Sequence, residues 1–223
     1  MKKISCVYTV ASPSMIETVE KEIAKFIKGE YILTHHTTPD ALAETVKNGY
    51  ITHNVTAQLI NEFTMLMNNK TNVIFNICSS VGDVAELSKD LFMSAGVHIV
   101  RIDEAMCNEA VKNIRKIGVM ATLCSTLDPS CRLLMKCAEQ NGIKVELVPL
   151  LVNNAFGKSG NTLINHLVSY ADEHKNEYDG LVLAQLSMAA AEQEINERTG
   201  KPVYSSLRYG AKAVADIVNK KQV

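Results

Sequence analysis

What this sequence lacks narrows its function before any motif is read. Its 23 Lys and Arg residues against 24 Asp and Glu leave a formal net charge of -1, and the charges are scattered, not blocked. No basic stripe with interleaved aromatics occurs, so nucleic acid is not an expected partner. The longest apolar stretches are strand-length, far short of the roughly 20 residues that span a bilayer, and no membrane association is expected. The six cysteines, at positions 6, 78, 107, 124, 131 and 137, include no CxxC pair. HExxH is missing too, as is HxH with a carboxylate partner, so no metal site is expected. Cys131 and Cys137 fall in one predicted helix, nearly two turns apart and too distant to bridge. Reduced thiols and a cytoplasmic location are the resulting expectation. GxGxxG and GxxxxGK[ST] are absent, and Gly157-Lys158-Ser159-Gly160 lacks the earlier glycine of a phosphate loop. No nucleotide cofactor is expected.

What is present is an alternation. With 223 residues, 47% of them hydrophobic, the chain can bury one large core or two small ones. Lys2 and Lys3 precede a short apolar run, but Ser5, Tyr8 and Thr9 interrupt it, so it reads as a first buried strand and not as a signal peptide. The pattern predicts strands at Ile4–Val10, Tyr31–Thr34, Val73–Ile77, Val97–Arg101, Ile117–Ala121, Lys144–Val148, Leu181–Ala184 and Pro202–Tyr204. Helices are predicted between them, at Ser14–Lys28, Thr56–Asn68, Val84–Ala95, Asn108–Ile114, Pro129–Asn141, Thr162–His174, Met188–Thr199 and Tyr209–Asn219. Gly29, Gly96, Gly142 and Gly200 each follow a predicted helix as stop signals. Strand alternating with helix points to parallel sheets.

The order of elements occurs twice. The first strand corresponds to Ile117–Ala121, the run before Cys78 to the run before Gln185, and Val97–Val100 to Pro202–Tyr204, all at offsets of roughly 105 to 113 residues. The fold class expected is α/β, with two pseudo-symmetric doubly wound parallel-sheet domains facing an inter-domain cleft. The first domain takes residues 1–101 plus 207–223, and the second takes 102–206. Ligands of such sheets bind beyond the carboxyl ends of the strands.

Three strand ends carry candidate chemistry. Asn76-Ile77-Cys78-Ser79-Ser80-Val81-Gly82-Asp83 sets a thiol between an apolar strand and a helix start, where free amides favour a thiolate and can hold a carboxylate. The plainer reading is a small buried hydrophobe. Leu183-Ala184-Gln185-Leu186-Ser187-Met188 is the counterpart. Gln185 cannot act as a base but can donate to an oxyanion, or it can simply cap the strand. In the third, Thr122, Cys124, Ser125 and Thr126 end a strand ahead of Asp128-Pro129, as Thr9 to Ser14 do in the first half. Those hydroxyls suit helix caps as well as ligand contacts. Of the histidines, His35 and His36 end the second strand and His53 falls in a predicted loop.

The segment from Cys78 to Gly82, following an apolar strand, resembles the first active-site signature of the aspartate/glutamate/hydantoin racemase superfamily. Arg101 through Met106 and Ile117 through Thr126 are similar to its inter-domain crossing and third strand-end motif. Leu183 through Ala189 is similar to the second active-site signature of one branch. The resemblance implies a two-domain enzyme without cofactor or metal, assembled as a homo-oligomer, that acts on a small carboxylate or carbonyl compound such as an amino acid or a hydantoin-like ring. It implies Cys78 as base or nucleophile, with Ser12, Ser79, Ser80, Thr122, Ser125, Thr126, Gln185 and Ser187 around the substrate. The racemases use two opposed cysteines, and Gln185 stands at the position of the second. Either Cys124 or a water held by Gln185 and Ser187 returns the proton, or the reaction is a single-cysteine decarboxylation or a cis-trans isomerisation. A binding protein that kept the site without the chemistry, and a cysteine hydrolase using His35, His36 or His53, are the readings from other classes.

Overall fold

The computed structural model describes residues 1–220. The chain divides into two compact units, the first from Met1 to Ile102 joined by the segment beginning at Leu207, the second from Asp103 to Ser206. Each is built on a parallel four-stranded sheet flanked by helices.

In the first unit β1 (Lys2–Tyr8), β2 (Tyr31–Thr37), β3 (Val73–Asn76) and β4 (His98–Arg101) assemble in the order β2-β1-β3-β4. The central strands are apolar and β3 is buried along its whole length, as a parallel strand covered on both faces requires. One face packs Val7 and Ile74 against α2 (Pro39–Asn48), α3 (His53–Asn68) and α4 (Gly82–Ser94), through Ala41, Leu59, Phe63, Val84 and Phe92. The C-terminal helix α9 (Ser206–Val218) also belongs to this unit. Its Gly210 lies against Phe75 and the Ile102 backbone, and Asn219 just past its end bonds Lys28 N and Phe26 O in the segment that follows α1 (Pro13–Ala24).

The second unit repeats the plan. Here β5 (Lys116–Ala121), β6 (Glu146–Leu151), β7 (Gly180–Leu183) and β8 (Val203–Ser205) take the order β6-β5-β7-β8. Met120, Leu150, Leu181 and Leu183 pack on α7 (Gly160–Glu173) and α8 (Glu192–Thr199) through Leu163, Leu167 and Ile195. Two further helices, α5 (Glu104–Asn113) and α6 (Cys124–Gln140), lie against each other. Register makes the repeat concrete. Val7 pairs with Asn76 as Met120 pairs with Leu183, so Thr9 corresponds to Thr122 and Cys78 to Gln185.

Several boundaries differ from those read in the sequence. Helix α2 was not expected. It is short and mostly polar, burying only Ala41 and Thr45, which leaves little periodic signal. His53 opens α3 instead of lying in a loop, behind Thr52, whose side chain accepts from Val55 N. Strand β2 runs on to Thr37 and includes both His35 and His36. Helix α6 begins at Cys124 and continues through Pro129, although the proline had marked the expected start. The helix predicted over Met188–Thr199 is a 3-10 helix, Leu186–Ala191, followed by α8.

Gly210 supplies a test of how α9 is held. A Cβ there would lie 2.8 Å from Ile102 O and 2.9 Å from Phe75 Cζ, and a backbone oxygen cannot move aside by changing rotamer. Alanine gains about 1 kcal/mol in helix propensity, whereas overpacking costs about 1–3 kcal/mol. Gly210→Ala is therefore expected to lower unfolding free energy by about 1 kcal/mol in urea titration. Unchanged or increased stability would mean that α9 is not seated against Ile102.

Candidate functional site

Cys78 follows β3 by two residues and stands in extended backbone (φ -154°, ψ 113°) ahead of a single 3-10 turn, Ser79–Val81, which leads directly into α4. The turn brings its donors near the sulfur. The Thr9 hydroxyl donates to Cys78 Sγ at 2.9 Å; the side chain makes no cap bond to the turn, but the Val81 and Ser80 amides and the Ser80 hydroxyl lie near enough to favour its charged form. The Asn76 side-chain amide donates to the Cys78 carbonyl at 3.1 Å. Asn76 is 1% exposed and its Oδ1 has no partner.

Two opposing effects act on the thiol. Cys78 is half-buried and packs on the apolar cluster of the first unit, and this burial raises its pKa above the ordinary thiol value. The Thr9 hydroxyl, then the amides of Val81 and Ser80 and the Ser80 hydroxyl, pull it back. Burial wins, so the group rests as a thiol. The sequence reading had expected the helix start alone to favour a thiolate. The donors it inferred are present, but the apolar packing outweighs them.

The turn is braced from below by Arg101, the last residue of β4, which is 1% exposed. Its guanidinium lies on Gly82, where an added Cβ would sit 2.5 Å from Nη2, and Nη1 is 3.5 Å from Asp83 Oδ1. Only glycine allows that approach.

In the second unit the Thr122 N–H and the Thr122 hydroxyl both donate to Gln185 Oε1, at 2.6 Å and 2.9 Å. Gln185 is half-buried. Thus the threonine just past the first strand of each unit bonds the residue two positions past the third: Thr9 to a thiol, Thr122 to a carboxamide.

The remaining sequence candidates divide by environment. Ser79 and Ser80 are buried in the Cys78 turn. Ser12 is exposed and caps α1, accepting from Met15 N at 3.2 Å. Ser125 and Thr126 are buried in the first turn of α6, where no side chain caps the helix, and the Ser125 hydroxyl has no partner. Ser187 is exposed in the turn after Gln185, and Cys124 is exposed at the start of α6. The histidines are engaged elsewhere. His35 bonds Tyr8 and Glu20, while His36 bonds Thr34 and Glu62. Among the described residues no histidine reaches Cys78, which removes the partner a cysteine hydrolase requires. No described group of three or more His, Cys, Asp or Glu is placed to hold a metal ion, and no described helix is long and apolar enough to cross a membrane.

Sequence reasoning named Thr9 only within a hydroxyl-bearing segment and the amides after Cys78 only as a group, and gave Arg101 no part in this site. Thr9 carried a signal: it follows its strand just as Thr122 follows its own. Arg101 carried none, because its burial comes from the tertiary fold.

The donors on Cys78 can be tested by site-resolved alkylation across pH. Cys78 is expected to react as a thiol with a midpoint above the ordinary thiol value. In Thr9→Val the midpoint moves further up, and the rate at fixed pH falls roughly tenfold, the worth of losing about 1.5 kcal/mol in a bond to a charged group. An unchanged profile would show that the Thr9 bond does not act on the sulfur.

No family model matches the sequence, and no curated protein matches it. Solved structures do. Glutamate racemase from Bacillus anthracis aligns with 98% of this chain and 82% of its own, with a TM-score of 0.71 and 14% identity. Aspartate racemase from Picrophilus torridus aligns with 100% of this chain and 96% of its own, with a TM-score of 0.67 and 12% identity. Unliganded arylmalonate decarboxylase aligns with 100% of this chain and 94% of its own, with a TM-score of 0.60 and 14% identity. Two parallel four-stranded sheets with the same strand order, matched along essentially the whole chain, give this protein the two-domain α/β fold that these racemase and decarboxylase structures share.

Proposed function

We propose that this protein is a cofactor-independent enzyme of the racemase and isomerase type, acting on a small carboxylate or carbonyl compound through Cys78. The observation that carries this reading is the Thr9 hydroxyl donating to Cys78 Sγ at 2.9 Å, beside a turn whose Ser80 and Val81 donors also favour the charged sulfur. A structural thiol is a weak acceptor and needs no such set. A sulfur that carries charge during a reaction does, because pre-oriented donors stabilise charge without reorganisation.

The chemistry follows from where the proton sits. As a thiolate, Sγ takes a proton from the carbon beside a carboxylate or carbonyl, and the C–H electron pair moves into an enolate-like oxygen. In the reverse sense, the thiol gives its proton to such a carbanion. Each step is general acid or base catalysis by the same atom. Gln185 offers a carboxamide donor for oxygen but no proton to exchange, so the pair is unequal.

A second reading has its own support. Burial leaves Cys78 as a thiol at rest, which suits a proton donor better than a proton acceptor. A donor of this kind serves single-cysteine chemistry, in which loss of carbon dioxide from a malonate-like acid generates the carbanion and Cys78 protonates it. The likeness to arylmalonate decarboxylase is consistent with that reaction.

Proton NMR in deuterium oxide distinguishes these reactions. Amino acids, hydantoins, allantoin, malonates and maleate are incubated with wild type and with Cys78→Ala. Wild type is expected to exchange a carbon-bound proton in at least one substrate, or to release carbon dioxide from a malonate. Cys78→Ala should lose activity by about a hundredfold or more, the scale of a positioned acid or base, while melting as wild type does. Activity retained in the variant would overturn the assignment of Cys78.

A further inference from the structure

The Gln185 carboxamide has one orientation open to it. A main-chain N–H can only donate, and that of Thr122 lies 2.6 Å from Oε1, with the Thr122 hydroxyl 2.9 Å from the same atom. Turning the amide over would set the Gln185 N–H groups against the Thr122 N–H, donor against donor. The oxygen is therefore committed to Thr122. Nε2 keeps both of its N–H donors, and no described residue accepts from them. The side chain is half-buried, so solvent serves these donors only in part.

We propose that Gln185 is a ligand-oxygen receptor of fixed polarity and that Thr122 is the positioning residue that sets this polarity. The ligand class is an anionic or carbonyl oxygen: a carboxylate, or the ring oxygen of an imide such as a hydantoin. A ligand presenting an amine or amidine meets donor against donor and is refused. The inference rests on the reading of the protein as a small-carboxylate enzyme and makes it more specific. It also reassigns Thr122, which holds Gln185 with both of its donors instead of offering them to the substrate. The corresponding contact from Thr9 in the first unit is made to a group that can exchange a proton. The contact from Thr122 is made to one that cannot.

The test follows the Gln185 side-chain amide in proton–nitrogen correlation spectra, assigned by its absence in Gln185→Glu. Wild type, Gln185→Glu, Thr122→Val and Thr122→Ser are each titrated with malonate, L-aspartate, hydantoin and, as a cationic control, ethylammonium chloride. An oxygen ligand is expected to shift the Gln185 amide pair, and ethylammonium is not. Gln185→Glu keeps an acceptor for both Thr122 donors but presents a negative charge, and should weaken binding at least tenfold, about 1.4 kcal/mol. Thr122→Val should weaken it several-fold and broaden the amide pair, and Thr122→Ser, which restores the hydroxyl, should recover both. The proposal is overturned if no probe binds, if a bound probe leaves the Gln185 pair unmoved, or if Gln185→Glu binds as well as wild type. Cys78→Ala separates this claim from the reaction. That variant should retain the Gln185 shift, so a shift without turnover in wild type contradicts the proposed chemistry alone, and turnover without a shift contradicts this inference alone.

Discussion

The hydrogen bond from a threonine just past one strand to the residue just past its neighbour is made once in each unit of this chain, and the candidate chemistry of each unit depends on it. Parallel pairing of β1 with β3 sets Val7 beside Asn76, and pairing of β5 with β7 sets Met120 beside Leu183. Two residues further on, each strand pair runs out of ladder partners. Thr9 and Thr122 then reach sideways to Cys78 and Gln185. The sheets settle which atoms meet, and the identity of the acceptor settles what the contact does. A hydroxyl on sulfur stabilises negative charge, whereas a hydroxyl and an amide on a carboxamide oxygen orient a donor.

The first of these contacts works against a cost. Placing a thiol on an apolar cluster favours its neutral form, and the Thr9 bond with the nearby Ser80 and Val81 donors only partly offsets that. The balance leaves Cys78 as a thiol. Arg101 keeps the donors in place at one remove. Its guanidinium rests on Gly82 and faces Asp83, at the junction of the Cys78 turn with α4. A cation near a helix N-terminus opposes the helix dipole, and the Asp83 carboxylate answers it.

The plan of the fold was legible because parallel strands covered on both faces read as apolar runs, and β1, β3, β5 and β7 are such runs. The positions of Cys78 and Gln185 at strand ends followed from that. What escaped has local physical causes. Helix α2 buries only two residues, too few to show a period. Helix α6 runs through Pro129 although a proline within a helix gives up a backbone bond, so the sequence signal for its start was misplaced. The donors around the sulfur could not be read in the sequence, since two are backbone amides and a third, Thr9, lies 69 residues away. The hydroxyls were legible only as a set. Ser12 caps a helix, whereas Ser125 is buried with an unpaired oxygen, and nothing in either residue type distinguishes them.

The most direct measurement on the central claim, that Cys78 is the group that meets the substrate, is ligand protection against alkylation. The six cysteines are labelled with iodoacetamide and quantified individually by mass spectrometry, with and without a saturating compound that the protein turns over. The expected result is slower labelling of Cys78 in the presence of the compound, with the buried Cys6, Cys107 and Cys137 unreactive in both conditions. Labelling of Cys78 at the same rate with the compound bound would contradict the account.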